Sequence, residues 1–312
     1  MSSARRFALV TYAADPDVQP DDRALVEALH RRGVTGVACV WNDPRVDWTA
    51  FDAVVLRSTW DYFLEPDAFG AWLDARDAEG TRVLNPTSVV RWNLDKRYLR
   101  DLAARDIAIV PTRWVERGSS VALDALLDER GWDDVVVKPA VSGGAHETWR
   151  STRERAATDT PRLRALASSG TVMVQPFLRE IERDGEWSLL FFAGRYSHAA
   201  RKRPRAGDFR VQRQFGGVYG AEAAPPVARA AAEQVIAAAL EEAGLAPAEL
   251  PYARVDGCVV DGRFLLMELE VVEPALFFAQ APGAADRCAA ALLDAPALAP
   301  AGLAGRDGGV SG

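Results

Sequence analysis

The first 85 residues alternate between two hydrophobic periods. Short apolar runs indicate strands, and apolar positions three or four residues apart indicate helices. The predicted strands cover residues 7–11, 37–41 and 53–56, and the predicted helices cover residues 21–32 and 66–78. Because strands and helices take turns, this region predicts a small, mostly parallel α/β sheet. The sequence contains no GxGxxG, so the dinucleotide-binding fingerprint is absent.

Asn85-Pro86 interrupts this alternation, and longer elements follow it. The predicted helices cover residues 90–104, 226–243 and 283–293, and the predicted strands cover residues 135–138, 171–175, 187–193 and 196–200. The polar stretch 150–169 is either helical or loose. The basic, glycine-containing segment 201–220 predicts a mobile loop. The last residues have no period and much Gly, Ala and Pro, which predicts a disordered tail.

These boundaries predict a domain division. An N-terminal α/β domain on the substrate side is followed by two α+β subdomains and the tail. The four parts cover residues 1–85, 86–173, 174–294 and 295–312.

The most informative segment is residues 252–278, where acidic side chains lie within apolar strands. Carboxylates among Leu and Met are costly unless a cation or a metal neutralises them. Glu268 and Glu270 are two residues apart and therefore share one face of a strand. With Asp256 across a hairpin, they would form a set of hard oxygen ligands suited to Mg²⁺.

The hairpin register tests this hypothesis. A two-residue loop at Asp261-Gly262 with regular pairing would place Asp256 opposite Met267, on the wrong face. Pairing Asp256 with Glu268 therefore requires a bulge or an odd-length turn. The alternative is a solvated edge hairpin whose outer face is merely acidic.

Composition narrows the class of protein. With 49% hydrophobic and 26% charged residues and a net charge of −7, the chain is typical of a globular protein and does not favour nucleic-acid binding. Its three cysteines lack CxxC spacing, which argues against a disulfide framework or a structural zinc site. No signal peptide and no apolar run of roughly 18 residues is present, so we expect a cytoplasmic protein without membrane contact.

Lys138 ends an apolar strand and precedes a glycine-rich turn. A lysine there can bind phosphate oxygens, and the backbone amides of Ser142, Gly143 and Gly144 can surround a phosphate closely. The alternative is a lysine that extends to solvent beside an ordinary turn.

Residues 175–178 form a rigid joint after a strand, because Pro176 lacks a backbone donor. Such a joint can accept an adenine, with Glu186 accepting hydrogen bonds from the ribose. The alternative is a plain strand connection with an exposed glutamate.

The basic segment 201–220 includes Lys202 and Arg210 and could be a solvated face or a lid over a triphosphate and a carboxylate. Arg254 differs because it lies inside the hairpin. Its guanidinium could stabilise charge on an acyl or phosphoryl oxygen, or could form a structural ion pair with Glu270.

Taken in order, these motifs resemble the ATP-grasp superfamily over residues 85–280. The joint with Gly185-Glu186 resembles bacterial glutathione synthetase, and the hairpin resembles D-alanine–D-alanine ligase, although Glu270 replaces the usual Asn. The resemblance implies ATP and one or two Mg²⁺ ions as cofactors. It assigns ATP phosphates to Lys96 and Lys138, and adenine to Gln175, Phe177 and Leu178. The remaining implied roles are ribose binding by Glu186, Mg²⁺ ligation by Asp256, Glu268 and Glu270, and catalysis by Arg254, Lys202 and Arg210.

A narrower resemblance is carried by Arg57-Ser58-Thr59-Trp60-Asp61-Tyr62, by Gly207-Asp208-Phe209-Arg210-Val211-Gln212 and by Glu270-Val271-Val272-Glu273-Pro274. These segments are similar to actinobacterial ATP-grasp proteins that include the cycloserine-forming cyclo-ligase. The similarity implies substrate binding by Arg57, Ser58 and Trp60, although Trp60 could instead pack onto the core.

The sequence therefore predicts an ATP- and Mg²⁺-dependent ligase in antibiotic biosynthesis. It would activate a small amino-acid-like carboxylate as an acyl phosphate and form a C–N bond between two molecules or within one. The alternatives are an ATP-grasp kinase and a non-catalytic nucleotide sensor. A homodimer is compatible with the resemblance.

Overall fold

The N-terminal strands form a four-stranded parallel sheet, in a computed structural model that describes residues 4–296. The strands are β1 (Arg5–Thr11), β2 (Val34–Val40), β3 (Ala53–Leu56) and β4 (Val83–Leu84), and the helices are α1 (Arg23–His30) and α2 (Pro66–Ala78). Their order in the sheet is β2-β1-β3-β4. The predicted α/β alternation is confirmed, and only the two-residue strand β4 was not foreseen.

The central sheet has four antiparallel strands in the order β5-β8-β6-β7. These strands are β5 (Arg113–Val115), β6 (Asp134–Pro139), β7 (Trp149–Thr152) and β8 (Val172–Pro176). Helices α5 (Leu123–Arg130) and α6 (Ala156–Ser169) cover the sheet and share one apolar core with it. The uncertain polar stretch 150–169 is thus the end of a strand followed by a helix.

The C-terminal sheet has five strands in the order β11-β10-β9-β12-β13. They are β9 (Glu186–Phe192), β10 (Arg195–Arg203), β11 (Val218–Ala221), β12 (Tyr252–Val260) and β13 (Arg263–Glu270). A short helix, α7 (Arg179–Arg183), precedes the sheet, and α8 (Pro226–Ala243) and α9 (Ala284–Asp294) pack against it. Among the described residues, no helix is long and apolar enough to cross a membrane.

The predicted helix over residues 90–104 is wrong in one respect, because it is two helices, α3 (Thr87–Asn93) and α4 (Tyr98–Ala103). Between them the Asp95 carboxylate accepts a hydrogen bond from the Arg97 amide at 2.9 Å. Such a local bond competes with helical pairing. The Lys96 amide instead donates to the carbonyl of Ala140 at 2.9 Å. The break therefore turns Lys96 toward the glycine-rich turn.

The domain boundaries predicted after residues 85 and 173 do not follow the packing in detail. Residue 173 lies inside β8, which belongs to the central sheet. Helix α4 packs into the core of the C-terminal sheet, and the Tyr98 hydroxyl bonds the carbonyl of Leu269 at 2.9 Å. Helix α4 therefore packs with the C-terminal unit, whereas Val90 of α3 packs into the core of the N-terminal domain.

Part of the predicted mobile loop 201–220 is ordered. Residues 201–203 extend β10, and Val218–Ala221 pairs with that strand as β11. Charged residues disguise the end of β10, and β11 is only four residues long with a glycine inside it. Of the predicted tail at 295–312, the residues after Pro296 lie outside the part of the chain that the structure describes.

The hairpin of β12 and β13 contains the bulge that the sequence required. Val260 pairs with Arg263, so the loop is the two-residue Asp261-Gly262, yet Asp256 still pairs with Glu268. Met267 is the extra residue, since Gly257 pairs with Leu266. The bulge restores the register and brings Asp256 and Glu268 to directly opposite positions.

Gly257 makes this bulge sterically feasible. A Cβ at that position would lie 2.3 Å from Cζ of Phe264 and 2.5 Å from the carbonyl oxygen of Leu265. We expect Gly257→Ala to lower the free energy of unfolding by about 1–3 kcal/mol, because the strand must shift to relieve the overlap. Urea unfolding followed by circular dichroism measures the difference.

Gly70→Ala is the matched control for that substitution. Gly70 lies in α2, and a Cβ there meets nothing within 4 Å. Alanine should stabilise this helix by roughly 0.5–1 kcal/mol. Equal stability of Gly257→Ala and the wild type would show that the bulge tolerates a side chain.

Candidate active site

The predicted acidic residues lie on the face of the C-terminal hairpin that carries buried charge. Asp256 is 2% exposed and accepts a hydrogen bond from Ser188 Oγ at 2.5 Å. Arg254 donates to it at 2.8 Å, and Lys202 Nζ lies 3.3 Å away. Burial raises the pKa of Asp256, but Arg254 and Lys202 outweigh this effect and hold the pKa at about 2. Asp256 is therefore ionised within the fold.

Glu268 connects the hairpin to the predicted phosphate-binding lysines. Its carboxylate pairs with Lys96 Nζ at 3.0 Å, and Lys96 also donates to the carbonyl of Ser142 at 2.6 Å. Burial raises the pKa of Glu268, and the charges of Lys96 and Lys138 reverse that effect and lower it. Burial lowers the pKa of Lys138. The structure thus brings both lysines to the glycine-rich turn and the hairpin.

Glu186 and Lys202 form a buried ion pair across neighbouring strands. Burial raises the pKa of Glu186, although the Lys202 charge opposes the shift. The expected ribose acceptor is therefore already paired with a lysine, which also contacts Asp256. Lys202 joins the predicted ribose site to the predicted metal site.

The three predicted Mg²⁺ ligands do not converge in this arrangement. No group of three or more acidic, His or Cys side chains within residues 4–296 is placed to hold a metal ion. Instead, Asp256 and Glu270 share Arg254, and Glu268 takes Lys96. The ion pair of Arg254 with Glu270, one of the two alternatives that the sequence offered, is present, whereas the pairing of Glu268 with Lys96 was not predicted.

The glycine-rich turn is held from two sides. A Cβ on Gly143 would lie 2.9 Å from the Phe63 ring of the N-terminal domain. The carbonyl of Gly144 accepts a hydrogen bond from Gln214 at 3.1 Å, and Ser142 Oγ donates to the carbonyl of Pro139 at 3.2 Å. The predicted phosphate-binding turn therefore touches both the substrate-side domain and the basic segment.

The predicted adenine joint is fixed by its own contacts. Gln175 donates to Thr112 Oγ1 at 2.8 Å, and the Phe177 amide donates to the carbonyl of Asp134 at 2.8 Å. Arg150 stacks 3.7 Å above the Phe177 ring. Leu178 packs beside a small apolar cluster that contains Ile181. Since its amide is taken, Phe177 can offer an adenine only its carbonyl and its ring.

Arg210 does not lie with the other predicted catalytic groups. It pairs with Asp208 at 2.8 Å, stacks on the Phe215 ring at 3.7 Å, and its side chain is 33% exposed. The structure therefore places Arg210 on the ordered surface of the basic segment.

The three predicted substrate residues have different surroundings. Arg57 is 2% exposed, pairs with Asp22 at 2.9 Å and donates to the carbonyl of Pro274 at 2.9 Å. Ser58 is fully buried, and its hydroxyl has no hydrogen-bond partner among the described residues. Trp60 is 38% exposed, so of the three it alone presents a large surface to a ligand.

Three site residues were not predicted. Ser188 bonds Asp256, and Asn93 bonds the carbonyl of Leu269 at 2.8 Å and thereby supports β13. Glu273 was noticed as acidic but received no role. Alternation along β9 gives a usable signal for Ser188, since it shares a face with Glu186.

Comparison with known proteins identifies the class of this chain. The crystal structure of D-cycloserine synthetase DcsG matches with a TM-score of 0.83 and 34% identity, covering 92% of this chain and 98% of that one. D-alanine–D-alanine ligase from Bacillus anthracis, complexed with ATP, matches with a TM-score of 0.63 at 15% identity, over 94% and 97% of the two chains. The fold is therefore that of the ATP-grasp enzymes.

The cycloserine biosynthesis protein DcsG of Streptomyces lavendulae is 36% identical over 298 residues, 92% of this chain and 98% of the relative. The family model for the N-terminal domain of D-cycloserine synthetase DcsG matches residues 7–85. The chain belongs to the DcsG family and is an ATP-dependent ligase of small molecules. The predicted superfamily and enzyme class are confirmed.

Proposed function

We propose that this enzyme activates an amino-acid-like carboxylate as an acyl phosphate and closes a ring by forming a C–N bond within one molecule. The observation that carries the proposal is the charge arrangement on the hairpin. Three buried or half-buried carboxylates alternate there with Arg254, Lys96 and Lys202. Phosphoryl transfer needs such positioned charge more than it needs covalent protein groups.

Lys96 and Lys138 would bind the ATP phosphates, together with the backbone of Ser142, Gly143 and Gly144. The contact between Lys96 and Glu268 supports this role, since it holds the lysine beside the glycine-rich turn. A phosphate group offers lysine the same kind of oxygen partner that Glu268 and the Ser142 carbonyl now provide.

Adenine would lie against Phe177 and Leu178, with Gln175 supporting the joint. Glu186 would accept hydrogen bonds from the ribose hydroxyls. Lys202 would then leave Glu186 and pair with a phosphate or acyl oxygen. The stacking of the flat Arg150 guanidinium on the Phe177 ring supports this role for the aromatic face.

Asp256, Glu268 and Glu270 fit a Mg²⁺ site in donor chemistry and in strand register. All three supply hard oxygen atoms from one face of the hairpin. Mg²⁺, when bound with ATP, would neutralise phosphate charge. The cations that now pair with these carboxylates support the proposal, since they occupy a negatively charged position.

Arg254 and Lys202 would stabilise the charge that develops on the acyl phosphate. Arg210 would approach the same charge when the basic segment closes over the site. Trp60 would contact the substrate, and Arg57 would hold the loop that carries Trp60. The N-terminal domain would supply this substrate side, with one domain boundary near residue 85 and the next after β8, at the end of the central sheet. A homodimer remains a prediction that light scattering would test.

D-Cycloserine, the compound in the relative's name, is a ring closed by an amide bond and carries a free amino group. We therefore take D-cycloserine as the reference for the cyclic product of the proposed reaction. Closing such a ring requires the carboxylate and the attacking nitrogen within one molecule, which suits a single enclosed substrate site.

A thermal-stability measurement tests the nucleotide site. We expect a non-hydrolysable ATP analogue with Mg²⁺ to raise the unfolding temperature strongly, and the analogue alone to raise it less. At 100 times its dissociation constant, a ligand stabilises the folded state by about 2.7 kcal/mol. Absence of a shift with the analogue, with or without Mg²⁺, would reject the proposed site.

A further inference from the structure

Glu273 lies at the junction of the hairpin and the substrate-side domain. It follows β13, and its carbonyl accepts a hydrogen bond from the indole Nε1 of Trp60 at 3.3 Å. The next carbonyl, that of Pro274, accepts from buried Arg57 at 2.9 Å. Two residues of one loop therefore fix the backbone on which the Glu273 side chain is mounted.

The Glu273 carboxylate differs from the other acids of the segment. Asp256, Glu268 and Glu270 each pair with a lysine or an arginine. Within residues 4–296, Glu273 has no ion pair and no side-chain hydrogen bond to another residue, although it is half-buried. A carboxylate in this position is costly unless a cation compensates it.

The charged groups near Glu273 support the same conclusion. Burial, Glu270 and Glu268 together raise the pKa of Glu273 to about 8, against the opposing charge of Lys96. Since Glu270 and Glu268 disfavour a negative charge on Glu273 and Lys96 opposes them, the position favours a positively charged group.

We propose that Glu273 binds the primary ammonium group of the amino-acid-like substrate. This inference rests on the proposed function and adds a group that determines substrate specificity. Lys96 and Lys138 mark the phosphate side of the hairpin, whereas the backbone of Glu273 contacts the loop of Trp60. An ammonium held there would direct the far end of a small substrate toward Arg254 and the nucleotide.

Binding of D-cycloserine itself tests the role, because this cyclic product carries the amino group. Calorimetry with ADP and Mg²⁺ would compare the wild type with Glu273→Gln, which keeps the size of the side chain and removes its charge. We expect at least a tenfold loss of D-cycloserine affinity and less than a twofold change in affinity for the ATP analogue. The unsubstituted isoxazolidin-3-one ring, which lacks the amino group, should bind both proteins equally.

Asp261→Asn is the matched control, since it removes an exposed acid from the turn of the same hairpin. It should leave both affinities unchanged. Equal D-cycloserine binding by the wild type and Glu273→Gln would overturn the assignment of Glu273. If the wild type binds the ATP analogue but not D-cycloserine, the assignment and the ring-forming substrate class both fail. Failure to bind the analogue itself would instead reject the proposed nucleotide site.

Discussion

Replacing Glu268 with glutamine is expected to lower turnover by about 10²–10³-fold, the range seen when one group that stabilises transition-state charge is removed. The substitution keeps the shape of the side chain but removes the charge that now pairs with Lys96 at 3.0 Å. It also removes one proposed Mg²⁺ ligand. Release of phosphate from ATP, coupled to formation of the ring, is the measurement.

Affinity for the ATP analogue separates chemistry from binding in this variant. Lys96 and Lys138 remain and keep their proposed contacts with the phosphates, so we expect nucleotide affinity to change by less than a factor of about 10. Asp261→Asn serves again as the charge control. Normal turnover in Glu268→Gln would show that the proposed metal site is wrong.

Replacing Arg57 with methionine is expected to lower the free energy of unfolding by about 3–5 kcal/mol, because it leaves a buried charge without its partner. Arg57 and Asp22 are both almost completely buried and lie 2.9 Å apart. Arg57 also stacks over the ring of Tyr252 at 5.4 Å. Urea unfolding of the variant measures the loss.

A double substitution distinguishes a structural role for Arg57 from direct substrate contact. Combining Arg57→Met with Asp22→Asn removes both charges, so the pair should lose less stability than the sum of the two single variants. A stability loss below about 1 kcal/mol together with lost substrate affinity would instead show that Arg57 contacts the substrate directly.

The hairpin geometry could be predicted from sequence because strand geometry has a period of two. Glu268 and Glu270 must share a face, and the position of Asp256 then demands a bulge. The structure supplies that bulge at Met267, with Gly257 opposite it. Local spacing was sufficient here, since both strands lie within one short hairpin.

Ion pairs and hydrogen bonds between distant segments could not be predicted in the same way. Lys96 meets Glu268 across more than 170 residues, and Arg57 meets the carbonyl of Pro274 across 217. Periodicity describes one element at a time and carries no information about which elements meet. The break at Asp95 was also missed, because the apolar stripe continues in phase through both helices.

The last described helix returns to the beginning of the chain. Helix α9 packs against α1, where Asp286 pairs with Arg31 and Arg32. Asn85 and Tyr252 add hydrogen bonds between the first and third sheets. The first and third sheets are thus packed as one unit, whereas the middle sheet has an apolar core of its own. A displacement of the middle sheet relative to this unit would leave both cores intact.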